Sequence, residues 1–388
     1  MTKKILFVSV CTSLLFAQSF EDYNKAQTQA FEAEKKQFAK HQKSQDAEFE
    51  NYKKAQDLIF KEYRKEVGAI WKTPKMSTKT SWVAYSKDKK TRSDVDFKNK
   101  TITVETIASS KEEGEKKLKE MLKKVVTIDN KTFTKTDPLE VKLSKVKKPF
   151  DVVEGTLDDE PIISNMIFSQ KPTQTKVTNY VDKMVQENKI VKKSKVYTLQ
   201  IHMPKNALVR KSQQYYEAVK KQALKQKLPI SLVFAIIHSE SSFNPRARSY
   251  VPAYGLMQIV PRTAGIDAYN YLYKRKKLVS GNYLYNSQNN IVLGSAYLHI
   301  LYYKYLSTIQ DPQSRLYCTI AAYNTGAGNV ARAFVRTNSV YAASKIINTM
   351  TPDEVYNKLL RDLKYSEAKH YLKKVYTRVQ LYNKVYGS

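Results

Sequence analysis

Residues 229–240 read Pro229-Ile230-Ser231-Leu232-Val233-Phe234-Ala235-Ile236-Ile237-His238-Ser239-Glu240, and Asn244-Pro245 follow. Proline suits the start of a helix, where its missing N–H costs no hydrogen bond. The residue before a proline is steered out of helical backbone, so Asn244-Pro245 predicts the stop. Between them Val233, Ile236, Ile237 and Glu240 recur at steps of three and four and share one face. That face is apolar and predicts burial. A carboxylic acid at the end of an apolar stripe loses hydration; its pKa rises and it stays protonated near neutral pH. Such a group is suited to general-acid cleavage of a glycosidic bond. The plainer reading of a lone helical glutamate is a solvated position.

The surroundings sharpen the contrast. From about Asn206 onward the chain reads as helices joined by short loops, and residues 206–388 hold 26 Lys and Arg against eight Asp and Glu. A carboxylate on an apolar face is unusual there. Upstream, from about residue 78 to 200, the pattern changes. Val95-Asp96-Phe97, Thr101–Ile107 and Val196–Met203 alternate with period two, as half-buried strands do, with Asn99-Lys100 as a hairpin turn. Glu112 to Val126 returns to helical spacing. From Phe20 to Trp71 there is no proline, and Phe31, Phe38, Phe49, Tyr52, Ile59, Tyr63 and Ile70 recur at three-, four- and seven-residue steps, which predicts a long helical arm. Lys and Gln occupy too many seam positions for a clean coiled coil. The expected division is a signal segment over 1–19, the arm over 20–75, a small α+β domain over 76–204 and a helical domain over 205–388. The fold class is mainly α with a smaller α+β domain.

Composition bounds the partner. The 388 residues are 42% hydrophobic, which excludes wholesale disorder. Two cysteines exclude a disulfide scaffold and a cysteine-based zinc finger. The formal charge of +31 and the 28 tyrosines suit an anionic partner, whether nucleic acid, membrane surface or acidic polymer. The first residues separate these. Lys3 and Lys4 precede an apolar run too short to span a bilayer, and Ala17-Gln18-Ser19 supplies small residues ahead of a cut before Phe20, as in a secretory signal. Export disfavours nucleic acid and favours an envelope polymer in the periplasm, with outer-membrane association left open. Cys11 follows Val10, a poor context for acylation, and reads as part of the signal. Cys318 reads as a buried thiol. No other stretch is apolar and long enough to predict a transmembrane helix.

Four blocks then stand in order: Glu240-Ser241-Ser242-Phe243-Asn244-Pro245; Ala253-Tyr254-Gly255-Leu256-Met257-Gln258-Ile259; Ala321-Ala322-Tyr323-Asn324-Thr325-Gly326-Ala327-Gly328-Asn329-Val330; and Glu367-Ala368-Lys369-His370-Tyr371-Leu372-Lys373-Lys374-Val375. Together they resemble the lytic transglycosylase family with the goose-lysozyme-like domain, over about residues 206–388. Arg92–Phe97 with Ile102–Ile107 resembles the N-terminal domain found in membrane-bound members of that family. The resemblance implies a lysozyme-like α-helical catalytic domain at the C-terminus. It implies that Glu240 is the single catalytic acid/base. It places Ser241, Ser249, Met257, Gln258, Tyr323, Asn324 and Tyr371 around the substrate. Gln258 would donate to and accept from the sugar, Met257 would lie against its apolar face, Tyr323 and Asn324 would line the cleft, and Tyr371 would stand near the carboxylate. The last block departs from the commoner Glu-Thr-Arg-x-Tyr-Val form but keeps the tyrosine.

Each residue also has a plainer reading. Gly255, Gly326 and Gly328 suit tight turns, Met257 suits a core, Tyr323 and Tyr371 suit buried aromatics, and Ser241 suits a local hydrogen bond. His238, His299 and His370 lack ligand spacing, and no metal or cofactor is expected. Lys274-Arg275-Lys276-Lys277, near Tyr271 and Tyr273, reads as a solvated loop or a contact for an anionic wall. The implied partner is the peptidoglycan glycan strand and not nucleic acid, and the implied reaction is non-hydrolytic cleavage to 1,6-anhydro-muramoyl ends. The alternatives are a hydrolytic muramidase, which would need a base for water such as Asp267, and a non-catalytic wall-binding scaffold.

Overall fold

A computed structural model describes residues 47–149, 151–250 and 252–386. The expected signal segment, Cys11 and the part of the arm before residue 47 lie outside these. The chain divides into two units, Met1–Leu58 with Val146–Asp151, and Ile59–Lys145 with Val152–Ser388. In the first, residues 47–58 are helical, as the arm spacing predicts. All that follows concerns the second, which opens on helical residues 59–68.

Its first core is built on a five-stranded antiparallel sheet. The strands in chain order are β1 (Ser81–Tyr85), β2 (Thr91–Asp96), β3 (Thr101–Ile107), β5 (Val191–Lys193) and β6 (Val196–His202), and their order across the sheet is β1-β2-β3-β6-β5. The alternation read from the sequence sets the inner face: Ile102 and Val104 of β3 and Tyr197, Leu199 and Ile201 of β6 are buried, and Ile102 pairs with Ile201 and Val104 with Leu199. A hairpin joins β2 to β3 through residues 97–100, where Asp96 accepts from the Asn99 backbone at 2.8 Å. The helices Lys111–Thr127 and Gln174–Glu187 lay Leu118, Leu122, Val125, Val177 and Val181 into this core. On the other side Tyr63, Val67 and Trp71 pack with Val83 and Tyr85 of β1.

The second core belongs to the helical part. Strand β4 (Val152–Val153) pairs in parallel with β7 (Leu278–Val279), tying the segment that leaves the first core to the helical part. The helix Ile230–Ser241 runs through the centre. The sequence predicts one buried stripe; instead Leu232 to Ile237 are all fully buried. A helix apolar on every side is enclosed on every side. The C-terminal helix Ser366–Tyr386 packs along it, with Phe234 stacked on Tyr382 and Tyr386 at 5.4 and 4.5 Å. Cys318 is fully buried. Among the described residues no helix is long and apolar enough to cross a membrane.

The two cores are joined by buried polar groups. Arg246 lies between the rings of Tyr285 and Phe133, at 3.9 and 5.0 Å, donates to Asn130 and Thr134, and pairs with Glu140. Asn130 in turn donates to the Tyr285 carbonyl at 2.7 Å. Lys211, fully buried, pairs with Glu160, which also accepts from the Tyr215 hydroxyl. A buried charge is tolerated only when it is paired and hydrogen-bonded, so these contacts fix how the sheet meets the helices.

Candidate active site

The Ile230–Ser241 helix begins after Pro229 and ends one residue beyond Glu240. Ser242 and Phe243 then adopt left-handed backbone, with φ of 52° and 66°, so the chain turns away before Asn244-Pro245 is reached. The exposed carbonyls of the last turn are capped by cations from the C-terminal helix. Lys374 donates to the Ser239 carbonyl at 3.1 Å, and Arg378 to the His238 carbonyl and the Ser239 hydroxyl at 2.9 Å each. Positive charge at a helix C-terminus is favourable. Burial pushes the His238 imidazole down to about 3, with Arg378 and Lys374 adding to the effect. His238 is therefore neutral and bonded to the Tyr382 hydroxyl, a structural residue, as its spacing predicts.

Glu240 is only 7% exposed. The Tyr371 hydroxyl donates to its Oε1 at 2.6 Å. Burial raises its pKa; the Lys79 charge, the Tyr371 bond and the Lys374 charge pull it part of the way back, and Glu367 pushes it up again. Lys79 comes from the segment entering β1. That segment is fastened to the loop after the helix, because Asn244 donates to the Lys79 carbonyl at 3.3 Å and the Arg248 amide to that of Thr78 at 3.4 Å. The sheet domain thus lends a charge to this carboxyl. Sequence reading missed the roles of Lys79, Lys374, Arg378 and Glu367, since no local pattern links them to Glu240; Glu367 and Lys374 lie inside the last quoted block.

The Tyr254–Ile259 turn is held against Glu240 from three sides. Ser241, fully buried, donates its hydroxyl to the Leu256 and Ile237 carbonyls at 2.8 and 3.1 Å. Tyr323 donates to the Met257 carbonyl at 2.8 Å. Asn290, fully buried, accepts from the Met257 amide and donates to the Tyr254 and Leu284 carbonyls, each at 2.8 Å. Gly255 has φ +73°, and a Cβ there would sit 2.3 Å from the Leu284 carbonyl oxygen. Sequence reading missed Asn290 as well.

Two of the expected substrate contacts are corrected here. Ser241 faces its own protein and its hydroxyl is spent there, the local bonding open to its residue type. Met257 is fully buried and packs against Gly294, where a Cβ would come within 2.2 Å of its sulfur; it is core and does not meet a sugar. Gln258 is corrected in part. Both hydrogens of its amide are committed, to the Ala247 and Gly255 carbonyls at 3.1 and 3.0 Å. It cannot donate outward, and its Oε1 is left without a partner. Ser249 is half-buried and accepts from the Ala253 amide. Asn324 is half-buried at the end of the Pro312–Thr325 helix, which Gly326 closes with φ +83°. Gly328 does not use positive φ. Asp267 accepts from the Tyr305 hydroxyl at 3.2 Å. Among the described residues no group of acids, histidines or cysteines could hold a metal ion.

A helical domain with one buried carboxyl, clamped by a tyrosine and a Gly-Leu-Met-Gln turn, defines the class: the transglycosylase SLT domain, whose family model matches residues 217–346. Directly before it, residues 47–214 match the N-terminal domain of membrane-bound lytic murein transglycosylase C. The two matches stand in that order along residues 47–346. Among solved structures it is similar to the 70 kDa soluble lytic transglycosylase of Escherichia coli, with 24% identity and a TM-score of 0.35 over 45% of this chain and 25% of that one. It is also similar to an inactive mutant of a lytic transglycosylase of Pseudomonas aeruginosa, with 25% identity and a TM-score of 0.33 over 46% and 27%. The chain spans about a quarter of the length of these structures.

Proposed function

We propose that this chain is a peptidoglycan lytic transglycosylase that cleaves the β-1,4 bond from N-acetylmuramic acid to N-acetylglucosamine and leaves a 1,6-anhydro-muramoyl end. The observation that carries the reading is the Glu240 carboxyl, buried, raised in pKa and bonded by Tyr371 at Oε1 alone. That bond leaves Oε2 to hold the proton. In the first step Oε2 gives its proton to the glycosidic oxygen as the bond from that oxygen to the muramoyl C1 breaks. In the second the carboxylate takes the proton of the C6 hydroxyl of the same sugar as O6 bonds to C1. The acid is restored and no water enters. An internal nucleophile needs no second carboxylate to activate water. The acidic charge acting on Glu240 is that of the exposed Glu367, while Asp267 is engaged by Tyr305; neither arrangement favours a hydrolytic base.

Met257, Ser241 and Gln258 act in this scheme as positioning residues, since the Gln258 amide holds the Ala247 and Gly255 carbonyls and its Oε1 is buried. The half-buried amide of Asn324 and Ser249 complete the substrate contacts. The membrane-bound description of the N-terminal domain family and the signal-like first residues support an exported enzyme at the periplasmic face of the envelope.

The test is digestion of purified wall in oxygen-18 water followed by mass spectrometry. Expected fragments are one water lighter than hydrolysed muropeptides and carry no heavy oxygen at the new muramoyl end. A labelled reducing end would make the enzyme a muramidase, and intact wall would leave only the scaffold reading.

A further inference from the structure

The opposite end of the Glu240 helix carries chemistry that this mechanism does not use. Lys227, Leu228 and Pro229 face Tyr302, Tyr303 and the start of the Pro312–Thr325 helix across an open cavity of about 440 Å³. Pro229 and Glu240 lie at the two ends of one helix, on the order of 16 Å apart at 1.5 Å per residue. The cavity is therefore separate from the acid.

An aromatic row leads into it. Tyr271 stacks on His299 at 5.0 Å, His299 lies 4.8 Å from Tyr303, and Tyr303 lies 4.8 Å from Tyr302. Three of the four rings are pinned to backbone carbonyls at helix ends: His299 Nδ1 bonds the Gln226 carbonyl at 2.9 Å, Tyr303 donates to that of Lys227 at 2.7 Å, and Tyr302 to that of Pro312 at 3.3 Å. Tyr303 is nevertheless 37% exposed. Exposed rings fixed in advance give up little rotamer freedom on binding. Cations flank the row. Lys304 and Lys274 stand 4.8 and 5.5 Å from the Tyr271 ring, and Arg315 stands 5.0 Å from Tyr302.

Aromatic faces with Leu228, Pro229 and Pro312 offer apolar area to the C–H faces of sugar rings. Gln313 and Asp311, also at the cavity, offer hydrogen bonds to hydroxyl and acetamido groups. A neutral glycan would need no cations, and an acidic polymer without apolar faces would need no rings. We propose that the Tyr302–Tyr303 cavity and its aromatic row form a second binding site for a carboxylate-bearing amino-sugar glycan. This site holds one stretch of the polymer while another passes Glu240. The identity of that polymer rests on the reading given under Proposed function; the existence of the site does not.

The experiment uses the full chain. Glu240→Gln protein is sedimented with insoluble peptidoglycan, alone and combined with Tyr303→Ala or with Lys304→Glu, which reverses an exposed charge and leaves every ring in place. Tyr303→Ala should lower retention at least fivefold, and Lys304→Glu should weaken it most at low salt. With Glu240 intact, either change should slow release of fragments from whole wall but leave turnover of short soluble glycan strands unaltered. Unchanged retention in both variants, or equal losses on wall and short strands, would overturn the site. So would displacement from wall by a single-stranded oligonucleotide but not by wall glycan, since rings and cations also suit nucleic acid. If no fragments appear at all while retention still depends on Tyr303, the proposed reaction fails and the site stands.

Discussion

The Tyr371 hydroxyl and the Glu240 carboxyl meet at 2.6 Å from positions 131 residues apart. The bond divides the carboxyl into an anchored oxygen and a free one. It also favours the charged form, so it works against the burial that raises the pKa.

Tyr371→Phe removes that bond and keeps the ring. Hydrogen bonds to charged groups contribute about 1.5–3 kcal/mol, so turnover of wall should fall roughly ten- to hundredfold. The Glu240 pKa should rise further, and the alkaline limb of the pH–rate profile should move up. A pH–rate comparison with the parent checks both. An unmoved limb with full turnover would leave Tyr371 a packing residue only.

Glu240 itself has a stability signature. Its folded pKa is raised, so the native state holds a proton that the unfolded chain releases above the ordinary glutamate range. Stability from the buried acid is complete below the unfolded pKa and is lost as pH rises through the folded one. Glu240→Gln has no proton to lose. It should match the parent near pH 4 in urea unfolding and exceed it increasingly toward pH 8, while wall cleavage is abolished. An equal gap at both pH values would mean that the carboxyl is ionised in the fold.

The apolar stripe of Val233, Ile236 and Ile237 predicted that Glu240 is enclosed, against the solvated reading of a lone helical glutamate, and it is buried. Period-two alternation likewise gave β3 and β6 with the correct face inward. The direction in which a side chain points was not legible. Met257 and Ser241 lie in the right blocks, yet their side chains face inward, since a tight turn decides orientation residue by residue. Asn290 reads as an ordinary polar helix residue until Tyr254, Leu284 and Met257 are folded around it. Lys79 and Lys374 act on Glu240 from distant segments of the chain, and no local spacing records such a contact.

Asn290→Ala should therefore be among the most damaging changes outside the acid. It strands the Met257 amide and the Leu284 carbonyl in a dry site, at about 1–3 kcal/mol for each buried group left unsatisfied, while the Tyr254 carbonyl keeps the Ile259 amide. Thermal unfolding should show a large drop in Tm, with activity lost alongside it. A variant of normal stability would mean that water or a neighbour replaces the amide.

Gln258 separates a substrate contact from a structural one. A side chain reaching only for sugar could be cut to alanine with activity lost and stability kept. Here the amide hydrogens hold the Ala247 and Gly255 carbonyls, and Gln258 itself sits at φ 48°. Gln258→Ala should therefore lower both, by about 0.5–1.5 kcal/mol for each side-chain hydrogen bond lost, since the two carbonyls keep the Gly255 and Gln258 amides as donors. Gln258→Glu is sharper. It keeps length but sets an oxygen against two carbonyl oxygens, and only a protonated acid could satisfy even one of them. Stability of this variant should fall relative to the parent and fall further as pH rises from 4 to 8. Activity should be lost at neutral pH and should recover in part on acidification. Urea midpoints and wall turnover across that range read both quantities. If Gln258→Glu keeps parental stability at pH 8, the amide is turned the other way and its hydrogens do not hold the two carbonyls.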